Sequence, residues 1–336
     1  MATPAVSILV VTSDRLVDLR RCLGELQRHL AAAPTIAAEV LTVHAPHDTA
    51  AMAMVQSEFP WVGLHRAERR HLSEQRNLGA RMARAPILVY LDDDAYPRSG
   101  WLPELLAAFA ADEVQAASGP VFRGDGTLQC ERLAASAIGR LIPLAPTQPL
   151  PRGMAPSFSG CNLAVRRRAL FAIGGFDENL PYQPDDMDLC GRLFAAFGRQ
   201  PSAFAYRPAA AVTHESSPGP FRRTLQDRAW FVVARDNIYF ACRHAGPFCG
   251  LVGGLLLQLP KLWRFAVWLA TGKLRPLPFL RCVGKHLGGM VAGAWKGLRQ
   301  RARLPLSPLN ETAAVDVPAT STSNAEAAPC RTPQPV

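Results

Sequence analysis

The chain has 336 residues, of which 49% are hydrophobic and 19% charged, so it suits one large globular unit or two ordinary ones and not a disordered or fibrous protein. Its eight cysteines include no C-x-x-C pair, which predicts reduced cytosolic thiols instead of a zinc site or a disulfide framework. The net charge of +10 is concentrated in residues 238–310, which hold eleven Lys or Arg and no Asp or Glu, whereas the rest of the chain is nearly neutral.

The first ninety or so residues alternate between apolar runs and amphipathic stretches. Strands are predicted at 6–13, 38–45 and 86–91. Their unbroken aliphatic runs are typical of strands that are covered on both faces. Helices are predicted at 15–30 and at 71–85, where Ser73 is the candidate cap. This alternation predicts a parallel sheet with crossover helices, in which ligands bind at the carboxyl ends of the strands.

The pattern changes in the second half of the chain. Residues 116–122 form a candidate strand, and the proline-rich residues 141–156 are predicted to form an ordered but irregular loop. Residues 161–177 are predicted to be a strand that turns into a short helix, which ends at Gly174 and Gly175. A further helix is predicted at 185–198, with acids in its first turn.

Three consecutive aspartates, Asp92, Asp93 and Asp94, follow directly after the apolar strand at 86–91. Adjacent carboxylates repel one another, so the cluster fits either a solvated acidic turn or a site for a divalent cation. Oxygen ligands of this kind suit Mg²⁺ or Mn²⁺, which proteins usually bind through one or two carboxylates together with substrate phosphates. The cluster therefore directs attention to a phosphorylated ligand.

A second acidic cluster, Asp185, Asp186 and Asp188, lies at the start of the helix predicted at 185–198. The ordinary preference of helix N-termini for acids explains it as well as a catalytic role does. His214 follows a strand of small residues, and by itself it fits an ordinary polar position at a strand end.

Four segments together resemble the family 2 glycosyltransferases, the inverting nucleotide-sugar enzymes with the GT-A fold. They are SILVVTSDR (7–15), QRNLGARMARAPILVYLDDDAYP (75–97), GCNLAVRRRALFAIGGFDENL (160–180) and DDMDLCGRL (185–193). Their order and separations extend the resemblance from Val6 to Asn237, about two thirds of the chain. The resemblance implies an α/β, Rossmann-like fold, in which a mostly parallel central sheet is flanked by helices. Within the family, the chain resembles the bacterial, rhamnosyltransferase-like and non-processive type.

The resemblance also implies a metal site and a catalytic base. Asp94 is the expected direct ligand of Mn²⁺ or Mg²⁺, Asp92 contacts the metal or the ribose, Asp93 assists, and His214 completes the site. Such an ion stabilises the negative charge that develops on the departing nucleoside diphosphate. Asp186 is the expected general base, which removes the proton from the hydroxyl of the acceptor.

A set of residues is expected around the nucleotide-sugar donor by the same resemblance. The set is Thr12, Asp14, Arg15, His44, Arg76, Asn77, Asp92, Asp93, Gly160, Asn162 and Asp185. Arg76 could pair with phosphate oxygens, and a solvated helix residue is the alternative. His44 and Asp14 depart from the family pattern, which has Asp and Asn there, so the choice among UDP-, dTDP- and GDP-sugars stays open. Asp185 stands where the family usually has Glu.

The predicted organisation has four units. They are a nucleotide-sugar-binding half at 1–118, an acceptor-binding and catalytic half at 119–237, a basic apolar helical segment at 238–304 and a disordered tail at 305–336. The N-terminus lacks a basic region before its short apolar run, so no signal peptide is predicted, and a cytoplasmic location is expected.

The basic segment is expected to form membrane-associating helices. Residues 246–272 are apolar but are interrupted by Pro260, Lys261 and Arg264, so a simple spanning helix is not predicted. Tryptophans interleaved with basic residues are typical of helices that lie on anionic lipid, here at the cytoplasmic face of the inner membrane. A helical cap packed on the catalytic domain is the alternative. No nucleic-acid partner is expected, because the segment is too apolar for a solvated basic groove.

The predicted function is metal-dependent, inverting transfer of one sugar from a nucleotide sugar to a hydroxyl of a glycan or lipid-linked acceptor. The Q-x-x-R-W motif of processive synthases is not matched, because LQDRAW has Gln226, Arg228 and Trp230 at a different spacing. A catalytically silent scaffold that binds nucleotide sugar or glycan at the membrane is the alternative function. The intact Asp92, Asp94 and Asp186 favour the enzyme.

Overall fold

The computed structural model describes residues 3–181, 184–216, 220–273 and 275–299, and for 220–229 it describes the backbone alone. The strands are β1 (Val6–Thr12), β2 (Ala38–His44), β3 (Gly63–Arg66), β4 (Ile87–Asp92), β5 (Ala95–Pro97), β6 (Ala116–Ser118), β7 (Val121–Arg123), β8 (Leu128–Cys130), β9 (Arg132–Ser136), β10 (Leu141–Leu144), β11 (Met154–Ser157), β12 (Leu163–Arg166), β13 (Phe204–Tyr206) and β14 (Val212–His214). The α-helices are α1 (Leu16–Ala31), α2 (Thr49–Glu58), α3 (Leu72–Met82), α4 (Trp101–Ala107), α5 (Arg167–Ala172), α6 (Asp185–Ala196), α7 (Pro220–Ala245), α8 (Pro247–Leu256), α9 (Leu259–Ala270) and α10 (Pro276–Arg299).

A seven-stranded sheet forms the centre of the fold, in the order β13-β6-β12-β4-β1-β2-β3. β1 lies between β2 and β4 and is parallel to both, whereas β12 is antiparallel to its neighbours β4 and β6. The mostly parallel sheet is thus confirmed, with one reversed strand. Val11 pairs with Asp92 and Thr12 with His44, so the carboxyl ends of three strands meet at one edge.

The side chains of β1 alternate between two cores because successive residues of a strand point to opposite faces. Ile8 and Val10 lie in a core with residues of α1, α2 and α4. Leu9 lies in the other core, with residues of α3, α5 and α6. Both faces of the sheet are therefore covered by helices, which explains the unbroken aliphatic runs in the sequence.

Two smaller sheets flank the central one, with the orders β5-β14-β7-β8 and β10-β9-β11. The second sheet shows that the prediction of an irregular loop at 141–156 was wrong at both ends of the range, which form β10 and β11, whereas residues 145–153 between them are irregular. Pro143 lies in β10 and Pro156 in β11, the two edge strands of that sheet. A proline on an edge strand can turn the side that lacks an N–H away from the sheet, so the proline-rich composition did not prevent pairing.

Several further elements differ from the sequence prediction. Helix α2 and strand β3 were not predicted, because TAAMAMVQSE is rich in alanine and shows no clear apolar stripe. The candidate strand at 116–122 is split at Gly119 and Pro120 into β6 and β7, which belong to different sheets.

The predicted ends of two helices have different outcomes. His71, not Ser73, caps α3: its Nδ1 accepts the backbone N–H of Glu74 at 3.3 Å. The Ser73 hydroxyl instead donates to the carbonyl of Leu180 at 2.5 Å. The turn after α5 is as predicted, with Gly174 and Gly175 at φ values of 82° and 72°, a backbone conformation that favours glycine.

Helix α10 packs closely against α7 through glycines. A Cβ atom on Gly289 would lie 2.2 Å from the carbonyl oxygen of Phe231, and one on Gly293 would lie 2.3 Å from that of Arg235. Within the described ranges, none of the helices combines the length and the hydropathy that crossing a membrane requires. The disordered tail predicted at 305–336 and the side chains of Gln226 and Arg228 lie outside the described residues. The four unit boundaries stay predictions.

Candidate active site

A cavity of about 280 Å³ lies at the carboxyl ends of β1 and β4. Five of the predicted donor residues line it on the strand side: Thr12, Arg15, Arg76, Asp92 and Asp93. Four further predicted site residues line it from the second half of the chain: Gly160 and Asp185 of the donor set, the expected base Asp186 and the expected metal ligand His214. The two acidic clusters of the sequence therefore share one cavity. In open α/β sheets, ligand-binding crevices form at the carboxyl ends of the strands, where the strand order reverses.

Asp92, Asp94 and His214 form a group with one ligand atom from each within 4.8 Å of the others. Strand β14 pairs with β5 and sets His214 opposite Ala95, so its Nε2 lies 3.1 Å from a carboxylate oxygen of Asp94. Ligand bonds of about 2.1 Å place two donor atoms at most about 4.2 Å apart on one ion. The group would close by roughly half an ångström to hold a divalent ion, and its donor set suits one.

Arg15 supplies the positive charge that pairs with Asp93 and Asp94. Its Nη1 lies 2.9 Å from Asp93 and 2.6 Å from Asp94. The hydroxyl of Thr12 donates to Asp93 at 2.8 Å. Burial raises the pKa of Asp93 to about 7, although Arg15 opposes the shift. Thr12 and Arg15 thus line the cavity while they hold carboxylates at its edge.

Arg76 joins the two acidic clusters. Its Nη1 donates to Asp185 at 2.5 Å and its Nη2 to Asp92 at 3.2 Å, and the side chain is 4% exposed. The alternative of a solvated helix residue is therefore wrong. Burial raises the pKa of Asp185 to about 7, and Arg76 opposes that shift. The guanidinium pairs with carboxylates here, while it also borders the cavity.

Asp186 lies at the start of α6, where backbone N–H groups fix its carboxylate. One oxygen accepts the N–H of Gly160 at 3.0 Å, and the other accepts the N–H of Met187 at 2.7 Å. Burial raises the pKa of Asp186 above its usual range, although Arg76 and the Gly160 N–H oppose the shift. A partly buried carboxylate with a raised pKa is suited to accept a proton near neutral pH.

Asp14 and His44 do not line the cavity. Asp14, at φ 58°, pairs with Arg70 at 2.9 Å and with His47 at 3.0 Å. The ring nitrogens of the buried His44 contact Thr42 at 3.1 Å and Asp48 at 3.4 Å. The predicted contact of His44 with the donor therefore has no support in the structure, because its ring is engaged within the protein interior.

Asn77 and Asn162 are also outside the cavity lining, and both hold backbone segments. The amide of Asn77 donates to the carbonyl of Phe176 at 2.9 Å and accepts its N–H at 2.8 Å. The amide of Asn162 accepts the indole N–H of Trp101 at 2.8 Å and donates to the carbonyl of Ala210 at 2.9 Å. Their geometry supports a positioning role behind the site.

Ten lining residues were not predicted, and the polar Arg70, Gln129 and Ser159 are among them. Arg70 lies in the basic run ERRH, and Ser159 directly precedes Gly160, so both positions carried a signal. Gln129 is a lone polar residue on β8, and its sequence gave no reason to select it.

Comparisons with known proteins agree with this architecture. Residues 7–173 match the model of glycosyl transferase family 2. The pre-mycofactocin glycosyltransferase of Mycobacterium tuberculosis is 28% identical over 256 residues, which cover 70% of this chain and 51% of that protein. The chain thus spans about half the length of this curated relative.

Two solved structures share the fold. GalNAc-T7 with UDP, GalNAc and Mn²⁺ has a TM-score of 0.51 and 16% identity, over 72% of this chain and 51% of that one. The mannosyltransferase PcManGT from Pyrobaculum calidifontis, in complex with GDP-Man and Mn²⁺, has a TM-score of 0.50 and 17% identity, over 90% of this chain and 89% of that one. The rhamnosyltransferase-like subtype stays a prediction. The family match, the motif order and a mixed central sheet at whose edge two acidic clusters share a cavity identify the chain as a member of glycosyl transferase family 2 with the GT-A fold.

Proposed function

We propose that the chain transfers a single sugar, with inversion, from a nucleoside-diphosphate sugar to a hydroxyl of a glycan or lipid-linked acceptor. One observation carries the proposal: the cavity of about 280 Å³ is bordered both by Asp92 and His214 of the metal-capable group and by Asp186. A donor diphosphate and an incoming hydroxyl need these two chemistries in one space.

Asp92, Asp94 and His214 would hold Mn²⁺ or Mg²⁺, and the nitrogen donor of His214 favours Mn²⁺. When bound, such an ion stabilises the negative charge on the departing diphosphate. Arg15 and Arg70 add positive charge at the cavity, where a UDP-, dTDP- or GDP-sugar would bind. The nucleotide and Mn²⁺ in the structures of GalNAc-T7 and PcManGT support this assignment.

Asp186 would act as the general base. Its two backbone hydrogen bonds, from Gly160 and Met187, hold the carboxylate in one orientation at the cavity wall. Removal of the acceptor proton there lets the hydroxyl attack the anomeric carbon from the face opposite the diphosphate, which inverts the configuration at that carbon.

The test is a panel of nucleotide sugars, measured by thermal shift and by slow donor hydrolysis, with and without Mn²⁺. We expect one donor to stabilise the protein and to be hydrolysed only with the metal. Asp186→Asn should lose sugar transfer but keep donor binding. Donor binding without hydrolysis or transfer under any condition would contradict an enzyme and favour the silent scaffold.

We also propose that α8, α9 and α10 bind the anionic lipid of the cytoplasmic face of the inner membrane. Large apolar side chains are exposed along them: Phe248, Val252, Leu256, Leu259, Trp263, Val267, Leu277, Leu280, Leu287, Val291, Trp295 and Leu298. Exposed basic residues lie among them: Arg264, Lys273, Arg275, Arg281 and Arg299. Apolar area together with positive charge is what an interfacial helix requires.

Co-sedimentation of the full chain with vesicles tests this surface. Binding should be strong for vesicles that contain phosphatidylserine and weak for neutral vesicles. The double variant Trp263→Glu/Trp295→Glu should lose most of the binding, because both side chains are exposed, by 72% and 59%. Trp61→Glu, at a tryptophan that is 41% exposed elsewhere on the protein, is the matched control. Equal partition of all three proteins would contradict a membrane-binding face.

A further inference from the structure

A second cavity, of about 250 Å³, adjoins the first one at the catalytic carboxylate. Asp186 and Ser159 line both cavities, so they form the boundary between them. Sheet β10-β9-β11 and helix α7 supply half of the remaining lining residues. A molecule in the second cavity would therefore approach Asp186 from the side away from the nucleotide.

The two cavities differ in chemistry. Six apolar side chains line the second one: Leu133, Leu141, Phe158, Pro184, Met187 and Val233. The lining within the described residues contains no Lys or Arg, whereas the first cavity has three arginines. Its polar side chains, besides Asp186, are those of Ser157, Ser159, Asn237 and Cys130. The described lining of the second cavity thus combines apolar side chains with neutral polar groups and one carboxylate, and small-molecule sites are commonly mixed in this way.

We propose that the second cavity is the acceptor subsite and that it takes an uncharged alcohol on an apolar, ring-sized group. The inference rests on the proposed function for the donor, the metal and the base, but it differs in the acceptor, which is an apolar alcohol and not a sugar. A phosphate would find no cation among the described residues of these walls, and each buried hydroxyl without a partner would be unfavourable. An apolar cavity of about 150 Å³ is enough for benzene. The cavity of about 250 Å³ can therefore take one ring with its substituents.

The reaction across the boundary balances without a further reactant. The alcohol oxygen forms a bond to the anomeric carbon of the donor, and the bond from that carbon to the diphosphate oxygen breaks. The electron pair leaves with the diphosphate, and the proton of the alcohol goes to Asp186. The carboxylate is in position for this because it borders both cavities.

The experiment compares three acceptors with the full-length protein, Mn²⁺ and whichever nucleotide sugar the protein hydrolyses. Benzyl alcohol, glucose and glycerol phosphate are offered at equal concentration, and glycoside products are quantified by mass spectrometry. We expect benzyl alcohol to be glycosylated at least about tenfold faster than the other two, since burial of a few methylene equivalents in a hydrophobic pocket discriminates by about this much.

Val233→Arg sharpens the test because Val233 is only partly buried, so a long charged side chain can be accommodated. The variant should reduce the ratio of benzyl alcohol to glycerol phosphate as acceptor by at least about tenfold. A ratio measured on one sample does not depend on the folded fraction. Val17→Arg, at a valine that is 74% exposed on α1, should leave the ratio unchanged.

The outcomes separate the two proposals. Donor hydrolysis combined with a preference for glucose or glycerol phosphate would overturn the apolar acceptor and leave the proposed function intact. An unchanged ratio in Val233→Arg would also overturn it. If no nucleotide sugar bound or reacted with Mn²⁺, the proposed function would fail, and the acceptor subsite with it.

Discussion

Arg76→Met is expected to destabilise the protein strongly, because Arg76 is the shared countercharge of two acidic clusters. Its guanidinium lies 2.5 Å from Asp185 and 3.2 Å from Asp92, and the Arg76 and Asp185 side chains are 4% and 3% exposed. Two unit charges about 4 Å apart attract by about 4 kcal/mol at an effective dielectric constant of 20. Methionine keeps much of the volume but leaves Asp185 buried without its cation.

The expected loss in the free energy of unfolding is about 3–5 kcal/mol, the range for removal of one partner of a buried ion pair. For a domain of this size, this corresponds to a fall in Tm of roughly 6–20 °C. Thermal unfolding followed by circular dichroism measures it. The double variant Arg76→Met/Asp185→Asn should recover part of the loss, because it removes the unpaired charge.

The matched control is Arg20→Met. Arg20 pairs with Glu58 at 2.8 Å, but the two side chains are 47% and 42% exposed. Exposed pairs contribute at most about 1 kcal/mol. If Arg76→Met lowered the Tm no more than Arg20→Met, or if Asp185→Asn gave no recovery, the description of Arg76 as a buried countercharge would be wrong.

Three further predictions follow from the site. Gly160→Ala should weaken donor binding by about tenfold and lower the free energy of unfolding by about 1–3 kcal/mol. The reason is that the added Cβ would lie 2.6 Å from the guanidinium of Arg76. An unchanged donor affinity in titration calorimetry would contradict this prediction. Activity should fall as pH drops through the raised pKa of Asp186, so the acidic limb of the pH–rate profile should lie above the pKa of an ordinary aspartate; a limb at about pH 4 or below would argue against Asp186 as the base. Burial alone would raise the pKa of Asp188, but Arg192, His244 and Arg243 hold it well below its usual range. The stability that the Asp188 carboxylate contributes should therefore be complete above about pH 4, the pKa of an aspartate in the unfolded chain, and be lost as pH falls further. Asp188→Asn should flatten that acid limb of the stability profile in denaturant titrations, whereas an identical limb in the variant would assign it to other groups.

The sequence determined the main architecture because hydrophobic period is a local property. Unbroken aliphatic runs predicted β1, β2 and β4, helical spacing predicted α1, and acids in the first turn with a glycine at the end predicted α6. The acidic clusters were visible for the same reason, since a charge that ends an apolar run stands out in one dimension. Pairing between distant segments was not visible, so the sheet that contains β10 and β11 was predicted as a loop.

Only the tertiary structure decided which polar residues face the cavity. His44 and Asn77 occupy positions that the family resemblance assigned to the donor, yet their side chains bond within the protein. Arg76 was predicted to pair with phosphate oxygens; it borders the cavity and pairs with Asp92 and Asp185, and its contact with phosphate stays a prediction. Whether a polar side chain meets ligand or protein depends on which chain segments approach it from far away in sequence. That approach is set by the packing of the whole fold, whereas the strands and helices themselves are determined by the local pattern of apolar and polar residues.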